Sequence, residues 1–338
     1  MKKIAIFGTF AIAMLACIGF TSCSKEVNEN PEPETYTVNL GWAGEIIDVS
    51  YEPLTRATTD DLYGIQVYYS PNKEESYWSD YAYGLFDDPE NISINLMKGY
   101  KYKFVATMVK DGKNKVKSTV SGNYYYPFFQ RSSSEGDIST RLNNTFDYQG
   151  DSYFLHMDSG MTTLESGSYY RPNVERFYGE LEDYVPSQSG DKAIINMKRT
   201  CFGAKFIVSG ALANEGTLHI QMSEAPGIEL ELTDGEDQIF DIYTFMYVKQ
   251  AWLNDQYGEP LDVTISLERL DGTILPLGTH RIVCKRNKTT VVNVKIDNDG
   301  QTGGIGFEFE DDEIGIPEDD EEVTIEDGEI VETEIDSN

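Results

Sequence analysis

The stretch Ile92–Val105, Ile-Ser-Ile-Asn-Leu-Met-Lys-Gly-Tyr-Lys-Tyr-Lys-Phe-Val, alternates apolar and polar side chains on both sides of Gly99. Successive side chains of a β-strand point to opposite faces, so alternation with period two indicates strands with one buried face. The apolar positions are mostly β-branched or aromatic, which are the types that strands favour. Two strands joined by a short turn are therefore predicted here.

The same alternation recurs along the chain, between clusters of Gly, Pro, Asn and Asp. No long stretch has a period of 3.6, so the pattern predicts an all-β protein built from sandwiches. The segment Gly160–Pro186 is rich in turn residues and remains unassigned. A polar turn at Arg286–Lys288 predicts a hairpin between the last two strands. The further candidate strands are Val38–Leu40 with Trp42, Ile65–Tyr69, Ala204–Val208, Thr217–Met222, Ile228–Leu232, Gln238–Met246, Val263–Leu267, Arg281–Lys285 and Thr290–Ile296.

The length of 338 residues is sufficient for two domains of ordinary size. A polar patch at Pro186–Asp191 separates an aromatic-rich first half from the second half. The prediction is an N-terminal β-sandwich domain over residues 35–188 and a C-terminal one over residues 189–307.

The N-terminus has the features of an export signal. Lys2 and Lys3 precede an apolar run, Ile4–Phe20, and small polar residues lead into Cys23. Residues 1–22 are therefore predicted to be a signal peptide, and an uncleaved transmembrane anchor is the alternative. The sequence before Cys23 resembles the bacterial lipobox, which implies a lipid on this cysteine and attachment to the outer membrane. Residues 23–34 are polar, acidic and proline-containing, as in an unfolded tether.

The C-terminus is an acidic tail. Residues 308–338 contain 16 acidic residues and no Lys or Arg, about half of the net charge of −31. A solvated tail is one interpretation. The alternation of acids with Val323, Ile325, Ile330, Val331 and Ile335 also fits a strand paired with a partner or with the protein's own sheet. The charge excludes nucleic acid and anionic headgroups as favoured partners.

The sequence contains no recognisable catalytic or metal-binding set. His156, His219 and His280 lack ligand-like spacing, and the glycine-rich segment Gly300–Gly306 lacks the Lys of a phosphate loop. The acidic turns do not fit a calcium-binding EF-hand. We therefore predict neither an enzyme nor a cofactor or metal site.

Two cysteines remain in the predicted mature chain besides Cys23. Cys201 and Cys284 form a candidate disulfide, because an exported protein folds where disulfides persist. Two buried thiols that pack without bonding are the alternative.

One block of aromatic residues is a candidate contact surface. Exposed aromatic rings can stack on sugars or anchor protein interfaces, but the same rings can fill a core or cover its edge. The residues are Tyr124, Tyr125, Tyr126, Phe128 and Phe129.

Several segments together resemble the fimbrillin-like lipoproteins of Bacteroidales. After Cys23 and a first strand, Pro53–Thr58 resembles the start of these proteins. Phe177–Glu180, followed by Met197–Thr200 with Ala204–Phe206, is similar to their inter-domain junction, and Arg281–Val294 to their closing hairpin.

The resemblance implies two tandem transthyretin-like Greek-key β-sandwich domains and assembly into a fimbria by strand exchange. It also implies a proteolytic cut, for which Arg56 is the matching position. The cut would release the first strand and the lipid anchor, and a neighbouring subunit's strand would fill the exposed groove. The expected function is thus a cell-surface fimbrial subunit or adhesin, with other subunits and host or bacterial surface ligands as partners. The alternative is a monomeric lipoprotein that binds glycan or host protein through aromatic loops.

Overall fold

β-Strands dominate the computed structural model, which describes residues 34–48, 60–71, 77–132, 136–148, 153–154, 157–209, 216–233, 236–296 and 311–313. The described residues from Thr35 onward belong to one compact unit. Their helices are α1 (Glu45–Asp48), α2 (Gly112–Lys115) and α3 (Val248–Leu253). Their strands are β1 (Thr35–Gly44), β2 (Leu62–Ser70), β3 (Ser79–Phe86), β4 (Ser93–Met97), β5 (Lys101–Val109), β6 (Asn123–Ser132), β7 (Gly136–Arg141), β8 (Phe146–Asp147), β9 (Tyr153–Phe154), β10 (Thr162–Leu164), β11 (Gly167–Tyr169), β12 (Arg176–Tyr184), β13 (Lys192–Arg199), β14 (Cys201–Ser209), β15 (Gly216–Met222), β16 (Ile228–Glu231), β17 (Asp237–Thr244), β18 (Gly258–Arg269), β19 (Ile274–Lys285), β20 (Lys288–Lys295) and β21 (Asp311–Glu313).

The first half of the chain forms an eight-stranded sheet with the order β4-β1-β13-β12-β5-β2-β3-β8. Alternate residues of these strands point into one apolar core, as the period-two pattern predicted. β4 and β5 are the two strands expected on either side of Gly99, and both are present. They do not pair with each other, because β4 pairs with β1 and β5 lies between β12 and β2.

This sheet curls over its own core. The Tyr81 hydroxyl on β3 donates a hydrogen bond to the Asn95 carbonyl on β4 at 2.6 Å, although five strands, β1, β13, β12, β5 and β2, lie between β3 and β4 in the sheet order. Likewise, the Trp42 ring on β1 lies 5.4 Å from the Tyr63 ring on β2, centroid to centroid. One curled sheet therefore encloses a core for which the sequence predicted two facing sheets.

A second core lies between two four-stranded sheets, β17-β14-β20-β21 and β16-β15-β18-β19. Phe202 and Phe206 on β14 and Val292 on β20 enter it from one sheet. Leu218 on β15 and Val263 on β18 enter it from the other. This arrangement is the β-sandwich that the second half was expected to form.

The chain passes from the first core to the second at Thr200. β13 lies after the boundary expected at residues 188/189, yet it pairs with β1 and β12, and its Ile195 and Met197 are buried in the first core. β14 begins one residue after Thr200 and belongs to the second core. The polar patch is thus a loop within the first sheet. Whether the two cores are independent domains of the transthyretin-like Greek-key type stays a prediction.

The hairpin expected at Arg286–Lys288 is wrong. β19 pairs with β18, whereas β20 pairs with β14 and β21, so the two strands belong to opposite sheets of the second core. The turn crosses from one sheet to the other. Period-two alternation is the same for a hairpin and for a crossover, which explains the error.

Smaller elements complete the described chain. A three-stranded sheet, β7-β6-β9, and the β10-β11 hairpin accompany a small third core that includes Phe128 and Leu164. At the start of the acidic tail, β21 pairs antiparallel with β20. In the described part of the chain, no helix has the length and hydropathy of a membrane span. The signal, Cys23, Arg56 and the tail after Glu313 lie outside the described residues.

Candidate functional site

The strand β1 occupies an inserted position in the eight-stranded sheet. Its first half pairs antiparallel with β4, from Thr35 opposite Met97 to Asn39 opposite Ser93. Its second half pairs parallel with β13, from Asn39 opposite Lys192 to Gly44 opposite Met197. The first strand of the described chain is therefore held between two strands that follow it by many residues.

Alternate side chains fasten β1 to the core. Val38 is fully buried and Leu40 is 3% exposed, whereas Asn39 between them faces solvent. Burying each of these aliphatic side chains stabilises the folded state by about 1.5–3 kcal/mol. The indole Nε1 of Trp42 donates a hydrogen bond to the Pro89 carbonyl at 3.1 Å.

Backbone hydrogen bonds also connect β1 to the residues that precede β13 and β4. The Gly190 amide donates to the Thr37 carbonyl at 2.8 Å, and the Asn39 amide donates to the Asp191 carbonyl at 2.9 Å. The Leu40 amide donates to the Ile92 carbonyl at 2.9 Å. If β1 were absent, these groups would lose their partners and an apolar slot would open between β4 and β13.

Gly44 ends the strand in a backbone conformation that glycine favours. Its φ is +81°, and a Cβ at this position would lie 2.1 Å from Asn196 Oδ1 and 2.6 Å from the Met197 carbonyl oxygen. Glycine alone therefore allows the chain to end β1 here and enter α1.

Glu45, the next residue, ties the β1 segment to the second half of the protein. Its carboxylate accepts hydrogen bonds from Arg286 Nη1 at 2.8 and 2.9 Å and from the Arg199 amide at 2.7 Å. Burial raises the pKa of Glu45, but the bonds from Arg286 and Arg199 and the charge of Arg286 outweigh it and hold the pKa below its ordinary value. This contact is not predictable from sequence, because nothing local links residue 45 to the turn at residue 286.

The geometry of this site suits exchange of one strand for another. A strand with apolar residues at alternate positions would satisfy the same backbone groups and fill the same pockets as β1. The candidate cut at Arg56 lies between β1 and β2, outside the described residues, so the structure does not test it.

The aromatic block is only partly available as a contact surface. Tyr124 is 7% exposed and Phe128 is fully buried in the third core, so these two rings are core residues. Tyr125 and Tyr126 are half-buried, and the bond between Tyr126 and Pro127 is cis. The side chain of Phe129 lies outside the described part.

The two cysteines are buried thiols with no disulfide between them. The Arg176 amide donates to Cys201 Sγ at 3.0 Å, and burial raises the pKa of the Cys201 thiol to about 12. Cys284 packs in the second core beside residues of β18. The structure therefore has the alternative arrangement of two packed thiols.

Histidine and acidic residues form no metal centre within the described ranges. His219 lies on β15, where its Nε2 is 2.9 Å from Glu268 Oε2 across the β15–β18 pair. It is a partly exposed residue of this strand. His156 lies outside the described residues.

The chain has distant matches among solved structures. No protein-family model and no curated protein sequence matches the chain. Among solved structures, a proposed adhesin from Bacteroides thetaiotaomicron is 11% identical with a TM-score of 0.36, and the match covers 78% of this chain and 92% of the other.

Two fimbrial proteins from Porphyromonas gingivalis are also similar. The C-terminally truncated tip protein Mfa3 is 8% identical with a TM-score of 0.33, covering 83% of this chain and 100% of the other. The anchor protein Mfa2 is 9% identical with a TM-score of 0.34, covering 77% and 90%. These neighbours are of the kind that the fimbrillin-like resemblance predicts. At such identities they give no residue-by-residue correspondence with this chain.

Proposed function

We propose that the protein is a lipid-anchored cell-surface component of a fimbria, a subunit or fimbria-associated adhesin that assembles by β-strand exchange. The observation that carries the proposal is the position of β1. This strand is inserted between β4 and β13, with Val38 and Leu40 buried in the core. Release of this strand would leave two unpaired sheet edges beside an apolar slot, which another chain's strand can fill.

The position of Arg56 supports this proposal. The residue lies between β1 and β2 in the sequence, so a cut after it would detach β1 from the rest of the sheet in one step. The same cut would remove Cys23 and with it the predicted lipid. A subunit that keeps its lipid would stay at the outer membrane as an anchor, whereas a cut subunit would be free to join a filament.

A first experiment tests the cut itself on protein taken from cells. N-terminal sequencing of surface material is expected to give a chain that begins at Ala57. The matched variant Arg56→Ala is expected to remain uncut and attached to the membrane. Material that begins at Cys23 in both cases would contradict processing but leave an anchor role.

A second experiment tests strand exchange. A chain of residues 57–338, which lacks β1, is expected to form concentration-dependent oligomers that are resolved by size-exclusion chromatography with light scattering. A synthetic peptide of residues 35–48 should fill the slot and suppress these oligomers. In a control peptide, Thr37 is interchanged with Val38 and Asn39 with Leu40, so the apolar side chains point to the opposite face. This peptide should not suppress the oligomers. A chain that stays monomeric and ignores the native peptide would contradict the proposal.

The alternative of a monomeric binder that uses the aromatic block has less support. Tyr124 and Phe128 hold the third core together, so their substitution would affect folding before it affected a ligand. A contact at this block would rest on the half-buried Tyr125 and Tyr126 alone.

A further inference from the structure

A pocket of about 200 Å³ lies on the outer face of the eight-stranded sheet. Core-facing Val67 on β2 and Phe104 on β5 alternate with residues that point to this outer face. The short helix α3 from the second half of the chain covers one side. The lining residues are Tyr68, Trp78, Lys103, Val105, Asp158, Tyr178, Glu180 and Lys249.

Aromatic rings form much of the wall. Tyr178 is 1% exposed and is braced by Trp252, whose ring meets it edge-on with centroids 5.8 Å apart. Tyr68 and Trp78 are half-buried, so each keeps ring surface that a ligand can cover. The ammonium group of Lys101 lies 5.1 Å from the centroid of the Trp78 ring and helps to fix it.

A carboxylate at the base of the pocket holds two lysines. Glu180, whose side chain is 3% exposed, is 2.9 Å from Lys103 Nζ and 2.6 Å from Lys249 Nζ. It also accepts a short hydrogen bond from the Tyr178 hydroxyl. Burial raises the pKa of Glu180, but these three donors outweigh it, so the group is ionised at neutral pH. Because the groups satisfy one another, the base of the pocket is rigid.

The charges of the lining residues balance. Lys103 and Lys249 are offset by Asp158 and Glu180, so a charged ligand would gain from one pair and lose to the other. A neutral ligand avoids this conflict. The exposed Asp158 carboxylate is an acceptor, and Lys249, with 37% of its side chain exposed, keeps donors for a ligand beyond the one used on Glu180.

We propose that this pocket binds one neutral hexopyranose unit of a glycan. The apolar face of the sugar ring would stack on Tyr68 and Trp78, and its hydroxyls, which both donate and accept, would pair with Asp158 and Lys249. The volume is below the roughly 300–1,000 Å³ of pockets for drug-sized molecules, and this suits a single ring. The inference deepens the adhesin part of the proposed function but does not depend on strand exchange.

The test is saturation-transfer NMR on the purified full chain. The probes are the methyl pyranosides of glucose, galactose and mannose, with methyl glucuronate and glucosamine as charged counterparts. We expect saturation transfer to at least one neutral glycoside and weaker binding of its charged counterpart. Trp78→Ala should raise the Kd roughly tenfold, the loss expected when an aromatic stacking partner is removed.

Tyr77→Ala is the matched control, because Tyr77 is adjacent in sequence, 72% exposed and outside the lining. It should bind as the unaltered chain does. If Trp78→Ala loses its β-sheet circular dichroism, two other variants decide the matter in a folded chain. Tyr68→Leu removes the second stacking ring and Lys249→Met removes the donor, and both should weaken binding. No transfer to any neutral glycoside, equal binding by the pocket variants, or preference for a charged sugar would overturn the proposal. None of these results would bear on oligomers formed by residues 57–338.

Discussion

Arg176 is the largest fully buried charged side chain of the described structure. Its guanidinium donates to Thr107 Oγ1 at 2.7 Å, to the Ser159 carbonyl at 2.7 Å and to the Met157 carbonyl at 2.5 Å. Burial lowers its pKa to about 10, so it stays protonated at neutral pH. One side chain thus joins β12 to β5 and to the loop before β10.

Arg176→Leu is expected to destabilise the protein by about 3 kcal/mol or more. The reason is that three acceptors, two buried and one partly buried, lose their donor at once. Urea unfolding followed by circular dichroism measures the change. Arg281→Leu, on the exposed side of β19, is the control and should stay within about 0.5 kcal/mol. Equal effects of the two variants would contradict this account.

Glu45 gives a prediction about pH. Its pKa lies below the ordinary 4.5, so the folded state gains from the ionised carboxylate. This contribution is complete above the unfolded-state pKa and is lost as the pH falls through the lower folded-state pKa. The difference in urea midpoint between the unaltered chain and Glu45→Gln should therefore be largest near neutral pH and shrink between about pH 5 and about pH 3.

The exposed Glu90 provides the comparison for this pH experiment. Glu90→Gln should show a small difference that does not follow the same curve. A Glu45→Gln difference that stayed constant down to pH 3 would mean that the Arg286 contact does not depend on charge.

Residue-level prediction from sequence succeeded where local pattern decides burial. The alternation around Val38 and Leu40 identified their buried face. It failed for Glu45, Arg176 and Glu180, because their partners are distant in sequence. The pattern of the aromatic block fits a core as well as a surface, and Tyr124 and Phe128 adopted the core position.

Among the elements, β1 allows the most direct comparison of a buried and an exposed side chain on one strand. Leu40→Ala should destabilise the protein by roughly 2–5 kcal/mol, because it removes buried methyl groups and leaves a cavity. Asn39→Ala, on the opposite face of the same strand, should cost little. Urea unfolding of both variants measures the contrast. Similar costs would show that β1 is not seated by its alternate side chains.

Strand existence was easier to predict than strand pairing. β2, β4, β5, β14, β15 and β20 lie where the alternation placed them. β12 was not predicted, since Gly179 and the acidic residues 180, 182 and 183 interrupt its apolar pattern. Neither the parallel pairing of β1 with β13 nor the crossover at Arg286–Lys288 can be predicted from local sequence. A strand has the same period-two alternation whichever strand it pairs with.

For the whole molecule, an ion pair connects the segment before β12 to the second core. Arg171 Nη2 and Nε lie 2.8 and 3.0 Å from Glu259 Oε2, and both side chains are less than 10% exposed. Glu259 also accepts from the Tyr257 hydroxyl at 2.8 Å and from the Tyr247 amide at 3.0 Å. The carboxylate is therefore fixed from both sides.

Arg171→Met should destabilise the protein by roughly 3–5 kcal/mol, because it leaves a buried carboxylate without its counter-charge. The double variant Arg171→Met with Glu259→Gln should lose less than the sum of the single changes, with a coupling energy of roughly 0.5–3 kcal/mol. Lys198→Met, which breaks an exposed contact to Asp255, is the control and should cost about 1 kcal/mol or less. Additive losses in urea unfolding would show that the pair is not coupled.

At this scale the sequence predicted the class, an all-β protein with β-sandwich packing, and the rise of negative charge toward the C-terminus. The predicted boundary at residues 188/189 precedes the observed passage between the two cores at Thr200, because the polar patch at Pro186–Asp191 resembles a linker. In the structure this patch binds β1 through Gly190 and Asp191, so it is part of the first sheet.

Because β1 pairs in parallel with β13, the earliest strand of the described chain cannot take its final place until Met197 has been synthesised. Until then the first sheet is incomplete, and pairings between residues so distant in sequence form slowly. The strand that comes first in the sequence is thus among the last to settle. Every newly made molecule passes through a period in which a chaperone, a protease or a neighbouring chain has access to the place that β1 will occupy.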